Sequence, residues 1–171
     1  GGKAIPDRID LTQDVVLERL VARLLDQITE LTPTTCYETL YERSPKIVPG
    51  GRWFVTVAPG AGQFDDGLFT GGGSQQISED FAAIITGYTR TQLDKTDEDR
   101  VILRDTTWGL LLLKRKVLKA LAGYDLLDKD GKPFLRGFLQ PLSAERPEHD
   151  RTQGIAWLSV TFGLQFDWDL S

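Results

Sequence analysis

The sequence predicts an α+β fold, an antiparallel or mixed β-sheet of about five strands with two main helices packed on one face. Every even position from Ala156 to Leu170 is apolar, a period of two typical of a strand with one buried face. Strand-like segments also stand before and after a long helix-like segment, in the order α-β-β-β-α-β-β, which favours helices on one side of a sheet. No internal repeat or change of composition divides residues 1–171, so we expect a single domain.

The N-terminal segment predicts an amphipathic helix. Asp10 and Gln13 have the spacing of a capping box. Pro33 disfavours helical backbone at the residue before it, so we expect the helix to end by Thr32. Apolar residues recur at the i, i+3 and i+4 positions of one helical face: Leu17, Leu20, Val21, Leu24, Ile28 and Leu31.

Three strand-like segments follow this helix. Residues Thr35 to Glu42 and Arg52 to Ala58 are rich in β-branched and aromatic side chains, and Glu79 to Leu93 is the third segment of this kind. The stretch Pro59 to Gln76, between the last two segments, holds six glycines. This is too many glycines for a helix, and the stretch is too long for a tight turn. We therefore expect a mobile Gly-rich hairpin loop at 59–76.

A second helix is predicted to begin near Thr96, which forms a capping-box pattern with Asp99, and to end at a Gly123 C-cap. Its middle, Trp108 to Leu113, is apolar nearly all round, so we expect burial on more than one side.

Two further strands complete the predicted sheet. In Phe134 to Leu142, Pro141 lacks a backbone N–H, which confines this strand to an edge or a strand end. Ser143 to Gln153 is a charged loop, and the alternating strand then leads to the C-terminus.

Composition and charge exclude several classes of protein. The net charge of −5 and the pI near 4.9 argue against a general nucleic-acid binder, which would show a basic face. One cysteine, Cys36, excludes an intrachain disulfide and fits a reducing compartment such as a cytoplasm. No apolar run approaches the roughly 18 residues of a membrane span.

The sequence offers no paired catalytic groups. His149 lies between two acids in a charged loop, and we interpret it as a solvated surface residue. A catalytic Cys36 would need a histidine partner, and His149 is the only one in the sequence. We expect Cys36 to be a small buried strand residue. One Cys and one His cannot form the usual zinc ligand set. The turn at 128–131 begins like a calcium loop, but Leu139 stands where the bidentate Glu is required. We predict no catalytic residue, no cofactor and no metal.

Aromatic residues occur on both faces of the predicted strands, so both faces need covering at least locally. Trp53 and Phe54 are neighbours on one strand and must point in opposite directions. A monomer with helices on one face would leave part of this set exposed, and exposed apolar patches mark protein–protein interfaces. The candidate subunit or partner interface consists of Trp53, Phe64, Phe69, Trp108 and Trp157.

The order of segments from Leu11 onward carries a family resemblance. An amphipathic helix leads to CYETLYE, the strand RWFVTVA, a long loop and the strand DFAAIITGYTRT. The acidic start DEDR, the helix LLLLKRKVLKAL and the closing strand IAWLSVTFGLQF follow. This layout resembles the tail terminator proteins of long-tailed bacteriophages, also called minor tail or tail-completion proteins. The family often has an aromatic–Pro dipeptide before the second strand, where this chain has Val48-Pro49, so another neck or head–tail connector protein is the alternative.

The resemblance implies a structural virion protein at the head–tail junction, assembled in the host cytoplasm. Members of the family typically form a hexameric ring that caps the tail tube and meets the head connector. The implied partners are further copies of the chain, the tail tube protein and a head–tail connector or neck protein, with no membrane. DNA would pass through the lumen without specific binding, which an acidic protein favours.

Two features of the chain suit ring contacts. The unpaired edge of a long strand can be extended by another chain, and the Gly-rich arm at 59–76 can become ordered on assembly. A ring requires head-to-tail contacts that close. The alternative from a different class is a small ligand-binding or enzymatic α+β domain, with a pocket beneath the Gly-rich loop.

Overall fold

A mixed β-sheet with helices on one face organises the chain, which confirms the predicted α+β class. The computed structural model describes residues 13–40, 51–64, 76–91, 99–126 and 136–169. Predictions for Asp10, Phe69, the rest of 65–75 and the turn at 128–131 lie outside these residues. The described elements are α1 (Gln13–Gln27), β1 (Cys36–Glu38), β2 (Trp53–Pro59), β3 (Gln63–Phe64), β4 (Gln76–Arg90), α2 (Asp99–Arg104), α3 (Leu110–Leu121), β5 (Arg136–Ala144), β6 (Glu148–Asp150) and β7 (Ile155–Asp169).

Five strands form the main path of the sheet, in the order β1-β2-β4-β7-β5. The pairing of β1 with β2 is parallel, and all other described pairings are antiparallel. The strands β3 and β6 are short additions that pair with β4 and β7, so the described sheet has seven strands rather than about five. Both additions lie in segments that the sequence predicts to be loops.

The last strand is central in the sheet and has no long free edge. It pairs with β4 from Ile155 to Asp169, and its other side pairs with β5 and β6. A strand edge that pairs with another chain is therefore not that of β7. In the described sheet the outer positions belong to β1 and β5.

One hydrophobic core lies between the sheet and the helices. Each even residue of β7 from Ala156 to Phe166 is buried, which confirms the period of two. Residues of α1, α2 and α3 pack on the same side, among them Leu20, Ile102 and Leu113. Burying one such side chain fully is worth about 1.5–3 kcal/mol. The first helix ends at Gln27, and Ile28 and Leu31 beyond it also pack in the core.

The second long helix is interrupted, contrary to the prediction of one helix to Gly123. The Oδ1 atom of Asp105 accepts hydrogen bonds from the backbone N–H groups of Thr107, at 2.7 Å, and Trp108, at 3.1 Å. This Asx turn competes with helical hydrogen bonds, and Gly109 follows in extended backbone at φ −67° and ψ 149°. A Cβ at Gly109 would lie 2.4 Å from the carbonyl oxygen of Asp105, so the close turn requires glycine there.

The interruption ties the helical layer to the sheet. The carbonyl oxygen of Trp108 accepts a hydrogen bond from Trp53 Nε1 on β2, at 3.0 Å, and another from Thr89 Oγ1 on β4, at 2.7 Å. In a continuous helix this carbonyl would accept a helical N–H instead. The Asx turn therefore positions α3 on the sheet.

Two punctuation signals in the sequence are confirmed. Gly123 follows α3 with φ 75°, the left-handed conformation expected after a helix. Pro141 lies in β5, an outermost strand whose pairing with β7 shifts register on either side of Gln140 and Pro141.

Within the described residues, no helix has both the length and the apolar character needed to cross a membrane.

Replacing Asp105 with alanine tests the role of the Asx turn. We expect Asp105→Ala to lower the free energy of unfolding by about 1 kcal/mol, because two backbone N–H groups lose their acceptor. Asp105→Asn keeps an acceptor oxygen and should cost less. Equal losses for both variants in urea unfolding would contradict this role.

The loss of stability in Asp105→Ala should depend on pH in a defined direction. The two backbone N–H groups hold the pKa of Asp105 below its ordinary value of 3.8. Its stabilisation is thus complete at neutral pH and is lost as the pH falls below 3.8 through the folded-state pKa. The stability gap between the native chain and Asp105→Ala should narrow over that acidic range.

Candidate subunit-interface surface

The face of the sheet opposite the helices, termed the outer face, carries a second, smaller apolar cluster. Phe54 of β2, Tyr88 of β4 and Ile155 of β7 are buried there, with Trp157 packed against them. The register places Phe54 beside Tyr88 and Tyr88 beside Trp157. Ile155 and Trp157 are apolar residues at odd positions of β7, where the alternation would place polar ones. This cluster explains them, because both faces of β7 are covered at this end.

Two of the predicted interface aromatics pack together on the helix side. Trp53 is 1% exposed, and its ring meets the Trp108 ring edge-on, with centroids 5.3 Å apart and planes at 84°. Trp108 is half-buried against the core, with the guanidinium of Arg52 5.8 Å from its ring centroid. Burial of Trp53 leaves almost none of its ring for a partner.

The other predicted aromatics do not lie together: Trp157 is on the outer face, whereas Phe64 pairs with the helix-side residue Glu79. Trp157 is half-buried in the outer cluster, 6.3 Å from the Tyr88 ring. Phe64 on β3 is 57% exposed, and Phe69 lies outside the described residues. Of the predicted set, Phe64 therefore offers the largest free apolar surface in the described part of the chain.

An open groove of about 700 Å³ lies on the outer face at the opposite end from the aromatic cluster. Its floor includes the small residues Ala82 of β4 and Gly163 of β7, and one wall is formed by Phe138 and Leu142 of β5. Leu142 lies over Gly163, where an added Cβ would come 2.7 Å from Leu142 Cδ1. The lining residues are Ala61, Gly62, Gln63, Asp80, Phe81, Ala82, Phe138, Gln140, Leu142, Gly163, Leu164 and Gln165.

Two exposed apolar side chains line one side of this groove. Phe138 is 56% exposed and Leu142 is 62% exposed, and both belong to β5. An isolated exposed apolar residue needs no explanation, but two along one groove are typical of an interaction surface. Sequence analysis missed Phe138 and Leu142. Their i, i+4 spacing along β5, with the buried Leu139 between, was the available signal.

The described lining residues of the groove include one titratable side chain. This side chain is Asp80, and three glutamines supply most of the polar atoms. General acid–base chemistry in such a site would need a second titratable group or a nucleophile within hydrogen-bond reach. The arrangement suits recognition of another surface.

The single cysteine is buried, and the single histidine is partly buried. Burial raises the pKa of the Cys36 thiol to about 12, so the reactive thiolate is suppressed. His149 is not the solvated residue that the sequence predicts, because it lies in β6, with both ring nitrogens shielded and without hydrogen-bond partners. It lines a pocket of about 280 Å³ in which no described side chain is a Ser, Thr or Cys nucleophile. No group of three or more His, Cys, Asp or Glu side chains in the described ranges could hold a metal ion.

The exposed side of α3 is basic and partly apolar. The helix sequence LLLLKRKVLKAL contains four cations and no acid. Lys116 donates to Glu30 Oε1 of the loop after α1 at 2.7 Å, which lowers the pKa of Glu30. Leu111, Arg115 and Lys119 are exposed and lie four residues apart, so they form one stripe along the helix, here termed the α3 stripe.

Comparisons with known proteins find similar solved structures and no similar sequence. No protein-family model and no curated protein matches the chain. A solved structure described as "Virion of native gene transfer agent (GTA) particle" is 18% identical, with a TM-score of 0.47. The match covers 87% of this chain and 95% of that chain.

Thiol labelling tests the placement of Cys36. We expect the native protein to react with a thiol reagent far more slowly than the urea-unfolded protein, because the side chain is 1% exposed and its pKa is raised to about 12. The variant Leu40→Cys, at a 72% exposed position, should label rapidly without denaturant. Equally rapid labelling of native Cys36 would contradict the buried placement.

Proposed function

We propose that the protein is a non-enzymatic structural component of a virion, a ring-forming protein of the tail terminator type. In this role it caps the tail tube and joins it to the head connector. The observation that carries the proposal is the outer-face groove, bordered by the exposed apolar side chains of Phe138 and Leu142. The order of segments, which resembles that of tail terminator proteins, supplies the specific role.

A ring gives this groove a use. Each subunit of a cyclic assembly must present two different surfaces, one for each neighbour. The groove is suited to be one of them, because a neighbouring subunit would cover apolar area that a monomer leaves exposed. The outermost described strands, β1 and β5, offer further backbone edges for pairing between chains.

The charge of the chain is compatible with a channel for DNA. A net charge of −5 would let DNA pass a ring lumen without binding, whereas a basic lumen would retain it. The partners in this proposal are further copies of the chain, the tail tube protein and a head–tail connector or neck protein. A different neck protein of the same fold would share all of these features except the neighbours.

The groove also bears on the ligand-binding alternative, since Ala61, Gly62 and Gln63 at its side belong to the Gly-rich segment. Its open form and its single charged lining residue, Asp80, favour a protein surface over a small substrate as the occupant. An enzymatic role has no support from Cys36, whose thiolate is suppressed.

Solution mass across a concentration series, with negative-stain imaging of the same fractions, tests this proposal. We expect a concentration-dependent shift from monomer to closed rings with a central hole, because the apolar groove is covered on assembly. A monomer at every concentration would contradict ring formation. A small molecule that raises the melting temperature by several degrees would favour the ligand-binding alternative.

A further inference from the structure

We propose that the outer-face groove of one copy binds the α3 stripe of the next copy. This inference rests on the proposed ring-forming function and names the two surfaces that meet. The occupant is a second copy of this chain, entering with Leu111, Arg115 and Lys119. The groove receives it with Phe138, Leu142 and Asp80.

The shape of the groove suits a helix face. Ala82 is a small residue on the β4 side of the groove, and on the other side Leu142 packs over Gly163 and forms an apolar wall with Phe138. A helix packs closely on a sheet where apolar side chains of the two surfaces meet. Leu111, at 44% exposure, is the apolar side chain of α3 that is free to enter.

The charges of the two surfaces are complementary. The α3 helix carries four cations and no acid, whereas the groove has Asp80 as its charged lining residue and no cation. Lys116 is held by Glu30, so Arg115 and Lys119 are the exposed cations that face a partner. A guanidinium can bind a carboxylate oxygen and an amide oxygen at the same time. Asp80 offers the carboxylate and Gln140 offers the amide oxygen.

The positions of the two surfaces make the contact head-to-tail. The α3 stripe belongs to the helical layer, and the groove lies on the opposite side of the sheet. A copy therefore cannot fill its own groove, and every copy offers one stripe and one groove. Such a heterologous contact propagates from copy to copy and gives a ring when the rotation closes.

Disulfide cross-linking tests the contact with the full chain. The variants are Leu111→Cys and Gln140→Cys, both at exposed positions, and native Cys36 is buried and unreactive. Mixing the two single variants under mild oxidation should give a disulfide-linked dimer, since bonding needs Cα atoms within about 7 Å. The double variant on one chain should give a ladder that stops at the ring size. Leu40→Cys mixed with Gln140→Cys is the matched control and should remain uncrosslinked.

The cross-linking outcomes separate this inference from the proposed function. Rings in the microscope without a Leu111→Cys to Gln140→Cys bond would overturn the stripe-to-groove contact and leave the ring function standing. The specific bond with an open-ended ladder in place of a closed ring would support the contact and contradict the ring. A monomer without any specific bond would overturn both.

A mixing experiment provides a second test. Leu111→Asp blocks the stripe, and Leu142→Asp blocks the groove beside Asp80. Each variant alone should remain monomeric, because its self-association is weakened about tenfold or more. An equimolar mixture should give dimers and no larger species, because one intact stripe and one intact groove remain. Leu40→Asp should assemble like the native chain. Rings formed by either blocked variant would overturn the proposal.

Discussion

The pairing of β4 with β7 is the interaction on which the rest of the fold depends. These strands are antiparallel from Gln76–Asp169 at one end to Arg90–Ile155 at the other, with β2 on one side and β5 on the other. Because successive side chains alternate between faces, this one register decides which residues enter the helix-side core and which reach the outer face. A slip by one residue would move Phe162 out of the core and Gly163 out of the groove floor.

Hydrophobic periodicity and the positions of proline and glycine made much of this fold predictable. The even positions of β7, the edge placement of Pro141 and the glycine after α3 each follow from one local rule. The interruption after Arg104 was not predictable in the same way. It depends on the carbonyl of Trp108 being bound by Trp53 and Thr89, contacts between residues far apart in sequence.

The candidate surface was only partly predictable, for a related reason. Aromatic content indicated an interface, and Phe64 is indeed exposed, but Trp53 is used by the core. The groove arises where small residues of β4 and β7 meet the side chains of a bulged edge strand. Pairing partners and bulges are tertiary properties, so neither composition nor spacing could locate Leu142 over Gly163.

In the proposed assembly, the outer-face groove of one copy binds the α3 stripe of the next. A cryo-EM reconstruction of the assembled protein tests this claim most directly. The account predicts a closed ring in which α3 of each copy lies across the outer-face groove of its neighbour, with Leu111 against Leu142. An assembly in which these grooves face solvent, while other surfaces hold the copies together, would contradict it.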